Sequence, residues 1–191
     1  MKNFSLDVEG LSSDPGGVLL SIGLYEVKGL ETKPNPDNMF LVNVDIQSCL
    51  DAGLKVNGDT IKWWFGQLDA ARNALWEPKP MKLTTAASKL QKWYDEHKEK
   101  GEKAQNHVWA HATYDFPFLT CALHAVKKDV PWHYRDCRDL RTLLGFYSGP
   151  PLEDMKRGSA MEHSAAWDAF AQGQDVARSL QHIQIEDALR S

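Results

Sequence analysis

No stretch of roughly eighteen apolar residues occurs in this sequence, so a membrane-spanning helix is not expected. The opening segment MKNFSLDVEG lacks the apolar core of a signal peptide and turns acidic early. The expected location is therefore cytoplasmic. Cysteine is scarce, and Cys49, Cys121 and Cys137 are an odd number without CxxC spacing. Reduced, mostly packed thiols follow, and a zinc site finds no support. A basic excess is missing too. With a formal net charge of −4, the chain is unlike proteins that grip duplex DNA through many phosphates. Any affinity for nucleic acid must be local and modest. Internal repeats and low-complexity tracts are also absent.

What is present fits one globular domain spanning 1–191, since this length buries a substantial core. Residues 4–9 alternate Phe4, Leu6 and Val8 with Ser5, Asp7 and Glu9, the period-two pattern of a strand with one apolar face. Ser-Ser-Asp-Pro-Gly-Gly within 11–17 is turn chemistry. Further strands are expected at 18–27 and 40–44, forming an antiparallel meander. Short helices are predicted at 60–68 and 69–76. A clear amphipathic helix over 84–100 carries Ala86, Ala87, Leu90, Trp93 and Tyr94 at helical spacing and ends at Gly101. Beyond it come a strand at 108–110, a helix at 116–126, a strand at 134–137 and a helix at 140–146. A Pro/Gly loop at 149–158 and a long helix at 164–183 complete the chain. Such an order predicts an α/β fold, a mixed sheet with helices on both faces.

Three acidic elements carry the chemistry. Asp7 and Glu9, at i and i+2 of a strand, point to the same side. Two like charges there are unfavourable unless neutralised, and a hard divalent cation neutralises them well. A solvated edge strand shows the same D-x-E pattern. Asp115 follows an apolar strand and opens a helix, where an N-cap role is the alternative. Asp168 falls near the start of the last long helix with His163 on the loop before it. There the alternative is an ordinary first-turn acid favoured by the helix dipole. Small Ala165 and Ala166 let that helix start approach a neighbour closely.

Taken in order, Asp7-x-Glu9, Asp115 and His163-x-Ala165-x-x-Asp168 resemble the DEDDh superfamily of 3′–5′ exonucleases, which has an RNase H-like fold. Longer stretches are similar to the small exoribonuclease-like family of bacteria and their phages that includes phage exonuclease A. These are LDVEGLSSDPGGVLLSIGLYEV, IKWWFGQLDAARNAL, HVWAHATYDFPFL, CRDLRTL and HSAAWDA. Gly10, where many relatives carry Thr, and Ala112, where many carry Asn, depart from the pattern.

The resemblance implies a sheet whose first three strands are antiparallel and whose later strands are parallel. It also implies two divalent ions, Mg²⁺ or Mn²⁺, held by Asp7, Glu9, Asp115 and Asp168, with Asp7 bridging them. His163 would be the general base. Single-stranded DNA or RNA would be hydrolysed from its 3′ end, or from 3′ overhangs, to nucleoside 5′-monophosphates; the oligomeric state stays open, with family analogy leaning towards a homodimer. Substrate contacts are expected at Gly10 and Leu11, past the first strand, and at Trp63 or Trp64. These two point about 100° apart on a helix, so one packs in the core and the other is open to stack on a base. Arg138 and Arg141 are candidates for phosphate contact, with surface ion pairing as the alternative. Two rival functions remain: a non-catalytic nucleic-acid-binding module, and a metal-dependent hydrolase of small nucleotides on the same fold.

Overall fold

A computed structural model describes residues 1–149 and 163–190. The alternating N-terminal segment forms strand β1 (Lys2–Gly10), which runs antiparallel to β2 (Leu19–Val27). A 3₁₀ turn at Pro36–Asn38 leads into β3 (Met39–Asn43), antiparallel to β2. Strands β4 (Asn106–Ala110) and β5 (Cys137–Asp139) extend the other edge in parallel, giving the order β3-β2-β1-β4-β5. Among the described residues the α-helices are α1 (Ile46–Asp51), α2 (Gly58–Phe65), α3 (Asp69–Ala74), α4 (Leu83–His97), α5 (Asp115–Ala125), α6 (Leu140–Gly145) and α7 (Ala165–Arg190). The expected mixed sheet flanked by helices is present. Among the described residues no helix is long and apolar enough to cross a membrane.

Strand alternation divides the sheet into two chemically different faces. Phe4, Leu6 and Val8 of β1 join Ile22 and Leu24 of β2, and Phe40 and Val42 of β3, in the main core. This face is covered by Leu83, Ala86, Ala87, Leu90 and Tyr94 of α4 and by Phe118, Leu119, Ala122 and Leu123 of α5. On the opposite face α7 lies over the sheet. The Ser5 hydroxyl donates to the Ala169 carbonyl at 2.6 Å, and Phe170 meets Tyr25 edge to face at 5.2 Å. Ser5, Asp7 and Glu9 share that face, so period two sends the carboxylates of β1 towards α7.

Some elements differ from the sequence expectation. Helix α1 was not expected: at six residues it is too short to show helical periodicity, and Asp45 secures it by accepting from Ser48 N at 2.8 Å. The strand expected at 134–137 is a 3₁₀ turn at Tyr134–Asp136, because His133 Nδ1 accepts from Arg135 N at 3.2 Å and winds the chain before β5 begins. Helix α4 stops at His97 rather than near Gly101, with Lys98 already extended. The loop expected at 149–158 lies, but for Gly149, outside the described residues.

Close approach of α7 to the sheet depends on Gly23. It pairs with Asp7 across β1 and β2, and a Cβ on it would lie 2.0 Å from the Ala165 carbonyl oxygen. Gly23→Ala is therefore expected to destabilise the fold by about 1–3 kcal/mol, the usual cost of overpacking. Gly58→Ala, where a Cβ meets nothing within 4 Å, should be neutral or mildly stabilising. Urea unfolding of both variants checks the pair, and equal stabilities would contradict the tight α7 contact.

Candidate active site

At the C-terminal ends of β1 and β4 the acidic elements come together. A cavity of about 220 Å³ is lined by Asp7, Val8, Glu9, His111, Tyr114, Asp115, His163 and Asp168. All five residues singled out by motif thus border one space, although they come from β1, α5, the start of α7 and the loop before it. Ligand atoms of Glu9, His163 and Asp168 all lie within 4.8 Å of one another. Three of the carboxylates are buried: Asp7 is 8 %, Asp115 1 % and Asp168 5 % exposed.

Each acid is set by its local backbone. A register shift between Glu9 and Gly10 ends the regular pairing of β1 at the cavity rim, a common place for such irregularities. Asp115 is the first residue of α5, one past the N-cap position, which Tyr114 fills without a side-chain capping bond. The Asp115 carboxylate accepts from His111 N at 2.8 Å and Val8 N at 3.4 Å, which ties α5 to both β4 and β1. Asp168 accepts from His163 N at 3.1 Å. His163 has φ +64°, a left-handed conformation uncommon outside glycine. Strain of this kind concentrates at functional sites. Here the bend brings the imidazole to the cavity.

Two tryptophans of α2 lie beside His163. Trp64 is buried, its indole N–H donating to the Gly10 carbonyl at 3.0 Å. Trp63 is 44 % exposed and meets the His163 ring edge to face at 4.8 Å. It also lines a second cavity of about 510 Å³ with Glu9, Gly10, Ser12, Ser13, Asn57, Asp59, Thr60 and Tyr114. The two spaces share Glu9 and Tyr114. Burial, reinforced by the charges of Glu9, Asp115 and Asp7, raises the Tyr114 phenol above its ordinary value and keeps it protonated, donating to the Ser12 carbonyl at 3.2 Å.

Other expected contacts sit elsewhere. Leu11 is half-buried against the main core and lines neither cavity. Arg138 also lines neither, because its guanidinium bonds to the Cys137 and Arg135 carbonyls. Together with burial, its charge holds the His107 imidazole, near the far end of β4, below its ordinary value. Arg141 is exposed on α6 and lines neither cavity.

Sequence reasoning gave no role to two groups. His111 lines the cavity with Nδ1 3.8 Å from Asp115. Asp139 caps α6 by accepting from Thr142 N at 2.9 Å, and also accepts from Ala112 N at 3.2 Å in the turn that carries His111 to Asp115. The signal for Asp139 was present, an Asp three residues before Thr142 at a helix start.

Four carboxylates line the inner cavity, and among its described lining residues there is no lysine or arginine. That donor set suits hard cations such as Mg²⁺ or Mn²⁺. Asp7, Glu9, Asp115 and Asp168 are the residues able to hold them.

Comparison with known proteins places this geometry in a family. The family model for the 3′-5′ exoribonuclease Rv2179c-like domain matches residues 2–180. The chain belongs to the Rv2179c-like family. The Rv2179c-like chain also resembles a solved structure, the crystallographic nuclease domain of 3′hExo, a DEDDh family member, bound to rAMP. The two share 14 % identity with a TM-score of 0.63, over 94 % of this chain and 92 % of that one. At this identity the likeness shows the fold. Among curated proteins no relative matches. The family assignment makes this Rv2179c-like chain a nuclease of the 3′–5′ exonuclease class.

Asp139→Ala should cost about 1 kcal/mol, as loss of a capping side chain does. The Thr142 hydrogen bonds hold the Asp139 carboxyl below its ordinary value. Its stabilisation is therefore full above the unfolded carboxylate value of about 3.9 and disappears as pH falls through the lower folded value. Unfolding measured from neutral pH down to acid should show the variant and the parent converging. A gap independent of pH would contradict this.

Proposed function

We propose that this Rv2179c-like chain removes nucleotides one at a time from the 3′ end of single-stranded RNA. Asp7, Glu9, Asp115 and Asp168 would hold two divalent cations, Mg²⁺ or Mn²⁺, and His163 would act as general base. The observation that carries the proposal is the single cavity bordered by all four carboxylates and His163, without a lysine or arginine among its described lining residues. RNA is favoured over DNA by the exoribonuclease description of the family and by the rAMP bound to the 3′hExo nuclease domain.

Bound divalent cations supply acidification of a water and neutralisation of charge on a phosphodiester. The chain's own residues do the rest. The imidazole of His163 takes the proton of the attacking water, the general-base role that histidine fills most often. The water oxygen bonds to phosphorus, the bond to the 3′-oxygen of the shortened strand breaks, and that oxygen takes a proton from solvent as it leaves. A nucleoside 5′-monophosphate results. Trp63, half-exposed on the neighbouring cavity, offers a face for the terminal base. Glu9 and Tyr114 border both spaces, so the cavities adjoin, and a nucleotide in the outer one would turn its phosphate towards the inner one.

A second role for His163 has an observation in its favour. Its ring nitrogen is grouped with Glu9 and Asp168 at ligand distances, so it could itself bind a cation. His163→Ala separates the two. A lost base lowers kcat about 10²- to 10⁴-fold with Mn²⁺ uptake retained, whereas a lost ligand weakens uptake as well. Asp7→Asn should abolish both activity and uptake.

The direct test uses matched RNA and DNA oligomers labelled at the 5′ end, with Mn²⁺ and with chelator. A ladder shortening by single nucleotides from the 3′ end, faster on RNA and stopped by chelator, is expected. Intact oligomers with Mn²⁺ present, or internal cuts, would contradict the proposal.

A further inference from the structure

One neutral side chain reaches the acidic cluster. Gln172 lies four residues after Asp168, hence on the same face of α7. It is 1 % exposed, and its Nε2 donates to Asp7 Oδ1 at 2.6 Å. A carboxylate accepts and does not donate, so the amide must present its nitrogen to Asp7. Its Oε1 is then left buried with no hydrogen-bond partner among the described residues.

Packing alone does not account for this residue. A buried polar atom without a partner costs about 1–3 kcal/mol, and an apolar side chain of the same length would avoid that cost on a helix face where Ala169 and Val176, about one turn to either side, are also buried. Charge narrows the options further. A lysine or arginine at this position would hold Asp7 but neutralise it, competing with a cation for the same carboxylate. An amide fixes one oxygen of Asp7 and leaves the full negative charge for a cation. The backbone fixes the reach: Ser5 Oγ bonds Ala169 O at 2.6 Å, and a Cβ on Gly173 would stand 2.7 Å from Ser5 Oγ, so α7 is held against β1 at this level.

We propose that Gln172 is a positioning residue for Asp7, setting the rotation of its carboxylate and through it the affinity of the site for divalent cations. The proposal rests on the cation-binding role given to Asp7 above. Outer-shell donors to metal-binding side chains commonly contribute 10- to 100-fold in metal affinity.

The test is calorimetric titration of the full chain with Mn²⁺, paired with thermal unfolding of the metal-free protein, for the parent, Gln172→Met and Gln172→Leu. Both variants delete the donor and the partnerless oxygen together. The expected result is Mn²⁺ affinity about 10- to 100-fold weaker, with a metal-free unfolding midpoint at or above that of the parent. Unchanged Mn²⁺ affinity in either folded variant overturns the proposal. So does a fall in the metal-free midpoint of both, which makes Gln172 a structural residue. Absence of Mn²⁺ uptake by the parent overturns instead the cation-binding role of Asp7, and the positioning role with it.

Discussion

Repulsion among carboxylates is the constraint from which the site follows. Glu9 and Asp168 present ligand atoms within 4.8 Å of each other, and Asp7 and Asp115 border the same cavity. Two like charges at that separation cost roughly 3–4 kcal/mol at an effective dielectric of about 20. A hydrogen bond to a charged group returns about 1.5–3 kcal/mol. The donors supplied by Val8, His111, His163 and Gln172 offset part of that cost and orient the acids, but being neutral they leave the carboxylates charged. A divalent cation is the partner that neutralises them, which is why the cluster makes physical sense as a binding site.

The fold is arranged to keep that cluster together. Strand β1 sits in the middle of the sheet, so Asp7 is flanked by β2 on one side and β4 on the other. Gly23, opposite Asp7, removes the side chain that would hold α7 away, and the start of α7 then delivers Asp168. Asp115 arrives from the parallel neighbour through the turn braced by Asp139. Trp64 closes the wall beneath Gly10, leaving Trp63 to touch both His163 and the outer cavity. Any nucleotide stacked on Trp63 would lie against the ring that meets His163 edge to face.

Much of this was legible in the sequence wherever a local rule applied. Period two along 4–9 placed Asp7 and Glu9 on one face, opposite Phe4, Leu6 and Val8 in the core. Helical spacing found α4 because fifteen residues are enough for the pattern to show. Motif order linked Asp115, His163 and Asp168, which no periodicity connects. What local rules could not show was set by tertiary context. Gln172 looks like any polar helix residue until α7 is laid on β1. Arg138 lies in a resembling stretch, yet its guanidinium is held by nearby carbonyls. The 3₁₀ turn before β5 depends on a single side chain, His133.

Anomalous diffraction from crystals grown or soaked with Mn²⁺ bears most directly on the central claim. The account predicts anomalous density inside the cavity bordered by Asp7, Glu9, Asp115 and Asp168, within coordination distance of their oxygens. A well-ordered cavity without such density at saturating Mn²⁺ would contradict it.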